Sequence, residues 1–186
     1  MPLASNREIL HVIPRYYVVD GQDGIPNPVG IRGLRLEVEA HIVTASTLAL
    51  ENLERCLAQA GLDVREMVAA PLAAAEAVVT ADEKEMGVLV ADIGGGTTSV
   101  CIYTDGQPFH TNVLKVGGQH VTNDLTVVLR LPFAVSEDLK IRYGHALSST
   151  VDDKENIEVP GEGKEMRTIS RLRACEIIED RVAEMF

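Results

Sequence analysis

The run from Val88 to Tyr103 constrains the fold of this chain more than any other stretch. Val88-Leu89-Val90-Ala91 leads into Asp92 and Ile93; Gly94, Gly95, Gly96, Thr97, Thr98 and Ser99 follow, and Val100-Cys101-Ile102-Tyr103 closes the run. Both flanks are rich in β-branched residues and carry the pattern of buried strands, so the glycines fall in a strand-to-strand turn. Three consecutive glycines let a backbone take positive φ and bring its N–H groups against a ligand with no side chain in the way. Such a turn suits anionic oxygens, phosphates above all. Asp92 at the strand end and the hydroxyls of Thr97 and Thr98 would then hold a divalent ion or its waters beside them. A dinucleotide fingerprint is excluded, because its glycines must open a helix and a β-rich run follows here. A Walker-type loop is excluded as well, since no lysine lies between Asp92 and Tyr103. An ordinary hairpin turn stays open as an alternative, although it would normally use one or two glycines with Asn or Asp.

Around this run the chain alternates strand-like and helix-like segments. Arg7 to Asp20 reads as a strand, with Pro14 confining part of it to an edge or a bulge, and Gly21 to Gly33 reads as a loop. From Leu34 the alternation places Leu34, Leu36, Val38, Ala40 and Ile42 on one face, and Arg35, Glu37, Glu39 and His41 on a wet one, with His41 a solvated surface histidine. Ser46 caps a helix whose Leu50, Leu53, Leu57 and Ala60 form a core stripe and which Gly61 stops. Glu66 to Ala70 is expected as a short buried strand, and Pro71 opens an Ala-rich helix over Leu72 to Val79. The charged stretch Thr80 to Gly87 is the best boundary between two apolar units.

Beyond Tyr103, Asp105-Gly106 makes a turn and His110 to Val116 a third strand, ending at Gly117-Gly118. Thr122, Leu125, Val128 and Leu129 then follow at helical spacing, and the N-terminus of that helix would attract anions through unpaired N–H groups. Pro132 ends it, Ser136 caps another helix carrying Glu137 and Lys140, and Ser148 to Lys164 is polar apart from the strand-like Ile157-Glu158-Val159. Leu172, Cys175, Ile178, Val182 and Met185 mark a last amphipathic helix running to Phe186. No stretch approaches the length of a membrane span, and the net charge of −11 argues against nucleic acid as the main partner. Cys56, Cys101 and Cys175 are scattered, without metal-type spacing, and read as core thiols.

Asp92-Ile93-Gly94-Gly95-Gly96-Thr97-Thr98 resembles the second phosphate loop of the actin-like ATPase superfamily. Ile9 to Pro14, Gly24 to Gly30, Leu36 to Ala45, Gly117 to Leu125 and Ser136 to Gly144 together resemble the FtsA family of bacterial cell division proteins, over nearly the whole chain. The resemblance implies an α/β fold of the actin-like, ribonuclease-H-like type, present in part. Residues 1–45 would be the end of the SHS2-like inserted subdomain and the strand into the first half. Residues 46–85 would close the first half, 86–135 would open the second half with its phosphate loop, and 136–186 would be part of an outer subdomain.

It also implies ATP with Mg2+ as cofactors. Asp92 would be the catalytic and metal residue, positioning the magnesium or a water. Gly94, Gly95, Gly96, Thr97, Thr98, Gly117 and Gly118 would meet the phosphates. Glu137 and Lys140, by themselves an unremarked i,i+3 charged pair, match a family helix that borders the ribose and base. Ser99 departs from the many relatives with an acid there, which puts brisk hydrolysis in doubt. No first phosphate loop, adenosine turn or basic C-terminal amphipathic helix is found, so the chain reads as an internal fragment, itself inactive, of a protein with at most weak ATPase activity. That protein would polymerise and tether the tubulin-like FtsZ ring to the inner face of the cytoplasmic membrane at the septum. The rival readings are the related actin-like scaffold of pilus assembly and a sugar-kinase-type phosphotransferase.

Overall fold

The computed structural model of the chain describes residues 5–160 and 166–185. The end of the polar stretch at Lys164 and the last residue, Phe186, lie outside them. Two compact units form: Met1–Asp92 with Ser99–Val113, and Ile93–Thr98 with Leu114–Phe186.

In the first unit, β1 (Arg7–Val19), β2 (Gln22–Ile25) and β3 (Leu36–Ser46) make an antiparallel sheet in the order β2-β1-β3. Asp20 and Gly21 both take positive φ, 50° and 85°, the geometry of a type I′ hairpin turn. This turn sets β2 inside the segment expected to be loop. The Asp20 carboxylate then accepts from the N–H groups of Leu34 and Arg35 at 3.0 and 2.7 Å, fastening the returning chain. Pro14 sits where the β1–β3 register slips, as a residue without an N–H requires.

Which face of this sheet is covered runs against expectation. Leu36, Val38 and Ile42 share a face with their partners Val12 and Tyr17, yet they are 61, 54 and 52 % exposed. The opposite face contributes Ile13 and Val43 to a core with Leu72, Ala75, Cys101 and Tyr103. His41 lies there too, its Nε2 3.0 Å from Thr111 Oγ1, and burial pushes its pKa down; it is not a solvated histidine. Alternation reveals which residues share a face, not which face the neighbouring elements cover.

The first helix, α1 (Thr47–Gln59), ends in a complete Schellman motif. Gly61 N–H donates to Ala58 O and Leu62 N–H to Leu57 O, both at 3.0 Å, with Gly61 at φ 77°. Its leucine stripe is not core: Leu53 is exposed, and no residue of α1 is buried. Residues 66–69 form no strand, and Ala69 N–H donates instead to His11 Nε2 at 3.0 Å. The Ala-rich segment is α2 (Ala70–Val78). The charged stretch folds as a short helix, α3 (Ala81–Met86), held by a capping box between Thr80 and Glu83. Its Lys84 bonds Glu76 at 2.6 Å and lies over the Tyr103 ring, whose phenol burial pushes up to about 12.

Next, β4 (Val88–Ile93), β5 (Thr98–Thr104) and β6 (Gln107–Leu114) form a second sheet in sequence order. Asp105 and Gly106, at φ 52° and 74°, give β5 and β6 the same I′ turn as Asp20-Gly21.

The second unit has the better-closed core. It contains α4 (Gly118–Leu129), α5 (Phe133–Tyr143), a 3₁₀ turn (Ser148–Thr150), the antiparallel pair β7 (Asn156–Pro160) and β8 (Met166–Ser170), and α6 (Arg171–Met185). Val121 and Leu125 from α4, Leu139 from α5, Ile157 and Val159 from β7, and Ile177 and Ile178 from α6 pack together. Strand β8 was not foreseen. Helix α5 starts three residues before its expected Ser136 cap: Pro132 is the N-cap, its carbonyl accepts from Ser136 N–H at 3.0 Å, and Ser136 is fully buried within the helix.

Candidate functional site

The turn between β4 and β5 is closed by one hydrogen bond, Gly94 N–H to Thr97 O at 2.8 Å. Gly94 through Thr97 are exposed. None of the three glycines has positive φ, so conformational freedom is not what calls for glycine here. Space is. A Cβ on Gly95 or Gly96 would meet only the Gln119 side chain, at 3.8 to 3.9 Å, whereas one on Gly94 would come within 3.2 Å of Thr97 O. Among the described residues, the N–H groups of Gly95 and Gly96 have no partner. Two amide donors without partners, on exposed residues of a tight turn, are groups to which an anionic oxygen can bind.

The second glycine pair does something else. Gly117 is buried, with φ −174° and ψ −170°, an extended backbone open to any residue. Yet a Cβ there would lie 2.4 Å from Gly94 O and 2.8 Å from Gly95 O, so glycine is required by the close approach of the two turns. The N-terminus of α4 is likewise committed. Gly118 N–H donates to Gly94 O at 2.9 Å, Gln119 N–H to Gly95 O at 2.8 Å, and His120 N–H to Gly117 O at 2.9 Å. His120 Nδ1 in turn accepts from Gly117 N–H at 3.2 Å. The expected unpaired amides of this helix start are therefore already spent, and it offers no free anion site of its own.

The side chains divide in the same way. Thr98 is buried, and its hydroxyl donates to Val116 O at 2.8 Å, which turns it from the open side of the turn. Ser99 is buried as well, while Thr97 stays exposed. Asp92 is exposed near the end of β4, and its carboxylate has no hydrogen-bond or ion-pair partner among the described residues. These residues also hold no cluster of three metal-ligating side chains. A lone exposed carboxylate is of the type that takes Mg2+, which is commonly held by one or two carboxylates, substrate phosphates and retained waters.

Glu137 and Lys140 meet on one face of α5 at 2.7 Å. The Lys140 ammonium also reaches Gly118 O at 3.2 Å and Thr122 Oγ1 at 2.8 Å, and Thr122 bonds the same Glu137 oxygen. Hydrogen bonds from Lys140 and from Thr122 hold the Glu137 carboxyl below its usual range. The structure thus joins Gly94, Gly95, Gly117, Gly118, Glu137 and Lys140 in one network through three residues the sequence reading does not include in the site, Gln119, His120 and Thr122. Thr122 had left one signal in the sequence, a polar residue at an apolar position of the α4 stripe.

Comparisons with known proteins bear on the family and the fold. Residues 89–175 match the family described as cell division protein FtsA, and residues 1–44 match the SHS2 domain inserted in FtsA. The FtsA of Pseudomonas aeruginosa is 40% identical over 185 residues, covering 99% of this chain and 44% of that protein. That of Escherichia coli is 39% identical over 182 residues, 97% and 43% of the two chains. The chain thus spans less than half the length of these relatives. Among solved structures, the PilM–PilN type IV pilus biogenesis complex aligns with all of this chain and 44% of its own, at TM-score 0.66 and 18% identity. MreB5 of Spiroplasma citri bound to AMPPNP aligns over 76% of this chain and 45% of its own, at TM-score 0.60 and 19% identity. The fold is accordingly a part of the mixed α/β actin-like fold. With two FtsA regions matched in order and about 40% identity over nearly its whole length, the chain belongs to the FtsA family of cell division proteins.

Proposed function

We propose that this chain carries one side of an ATP site and that, in the full-length protein, the bound nucleotide governs assembly of an actin-like polymer. The observation that carries this reading is the pair of unpartnered N–H groups on the exposed residues Gly95 and Gly96. Phosphate oxygens seat on these donors. Asp92, three residues upstream of Gly95, would hold Mg2+ through its waters, with Thr97 at the far end of the turn. The metal supplies charge neutralisation at the phosphates. Glu137 borders the ribose and base. Thr98 and Lys140 contribute from behind, Thr98 by fixing the end of β5 and Lys140 by bracing Glu137.

The same reading gives the protein its place in the cell. Nucleotide-dependent assembly would put a self-polymer at the division site, linked to FtsZ and to the inner face of the membrane. No helix among the described residues is long and apolar enough to cross a membrane, and attachment is assigned to a helix elsewhere in the full-length protein. The domain division fits this scheme, with residues 1–45 as the end of the inserted subdomain and 46–186 as parts of the two actin-like halves.

Calorimetry tests the site. In the full-length protein, Asp92→Ala weakens Mg2+-dependent ATP binding by about tenfold, the scale of one lost charge-assisted interaction. Unchanged affinity removes Asp92 from the site. The 186-residue chain binds ATP weakly or not at all, because a clamp closed from one side retains only part of its contacts; micromolar affinity in the isolated chain would overturn this.

A further inference from the structure

Thr122 is fully buried in the first turns of α4, and its hydroxyl is the hub of three contacts. It lies 3.3 Å from Gly118 O, accepts from Lys140 Nζ at 2.8 Å and donates to Glu137 Oε2. An ammonium has three protons. All three of Lys140's are engaged, with Gly118 O, Thr122 Oγ1 and Glu137 Oε2, so this lysine is a strut within the protein. Glu137 receives both Thr122 and Lys140 on Oε2, and its other oxygen has no partner among the described residues. Gly118 closes the circuit, since its N–H is held by Gly94 O at 2.9 Å. A continuous run of hydrogen bonds therefore joins the glycine turn to the Glu137 carboxylate, and Thr122 is the only uncharged side chain in it.

We propose that Thr122 is a positioning residue of the nucleotide site: its buried hydroxyl fixes Glu137 in one orientation, with a single carboxylate oxygen left for ligand, and ties that orientation to the phosphate turn. This rests on the nucleotide reading above. Thr122 touches no ligand itself and acts through Glu137, so its removal falls on the nucleoside and spares the phosphates. A threonine that merely packed α4 against α5 would, when replaced, loosen both alike.

The test uses full-length protein and two probes, ATP and inorganic tripolyphosphate. Thr122→Val keeps the shape and deletes the hydroxyl. It is expected to weaken ATP by about tenfold, the scale of a lost hydrogen bond to a charged group, and to leave tripolyphosphate binding as it was. Thr122→Ser restores ATP affinity. In a Glu137→Gln background, Thr122→Val or Thr122→Ala costs no further ATP affinity, a readout that holds even if one of the two fails to fold. Equal losses for both probes, unchanged ATP affinity, or a full additional loss in the Glu137→Gln background overturn the proposal. Wild-type protein that binds neither probe overturns the nucleotide reading and this one with it, which separates the two failures.

Discussion

Two glycine turns lie against each other in the second unit and use the same residue for opposite reasons. Gly117 is glycine because backbone carbonyls fill the space a Cβ would need; Gly95 and Gly96 are glycine where that space is left open. The first is a packing constraint that the second does not share, and neither concerns φ, since none of these residues is left-handed. A glycine-rich stretch therefore does not announce its purpose. What a Cβ would meet at each position decides it.

Substitution separates the two most sharply at Gly117. Gly117→Ala pushes a Cβ to within 2.4 Å of Gly94 O, a backbone atom held by its own hydrogen bond, and is expected to cost about 3 kcal/mol of stability in urea unfolding. A variant as stable as wild type would show that the turns are not pressed together. Gly95→Ala should do the reverse. Its Cβ meets only a movable glutamine side chain, so stability stays within about 0.5 kcal/mol of wild type, while ATP affinity in the full-length protein falls. If Gly95→Ala unfolds the protein while binding survives, the assignment of the open turn to ligand is wrong.

The smallest effect is electrostatic. Glu137 is held below its usual range by Lys140 first and Thr122 second. A carboxylate depressed in the folded state contributes stability that is complete above its unfolded pKa and is lost as pH falls through the folded value. The loss thus begins near pH 4.5 and continues below it. Glu137→Gln should flatten the acid limb of the unfolding curve and barely alter the neutral region; an unchanged acid limb would mean that solvent already screens the pair.

Much of the scaffold could be read along the chain, because local chemistry determines it. Asp105-Gly106 marks a hairpin, Gly61 stops a helix, and an apolar run on each side of three glycines makes two strands and a turn. Asp20-Gly21 carried the same hairpin signal, but β2 beyond it is four residues long and has no run of apolar side chains. What local chemistry cannot supply is the identity of the neighbour. The strict alternation from Leu34 identifies two faces, yet the elements of the first unit cover the one bearing His41 and Val43. The leucines of α1 are likewise spaced for burial and lie partly bare. In the site, the sequence shows which residues are small and which are charged. The partners that consume the amides of Gly118 and Gln119 and two of the three protons of Lys140 come from 18 to 24 residues away, and only the folded chain reveals them.

The engaged ammonium of Lys140 has one more consequence. Its proton rests on the carbonyl of Gly118, the peptide unit whose other end is the Gln119 N–H; that N–H rests on the carbonyl of Gly95, whose peptide unit ends in the Gly96 N–H. A cation at the head of such a series draws electron density through each amide in turn, and every link strengthens the next by about 10–30%. The last hydrogen in the series belongs to Gly96, an exposed residue whose N–H has no partner among the described residues. A positive charge that is fully occupied inside the protein thus still polarises an unpaired donor of the glycine turn.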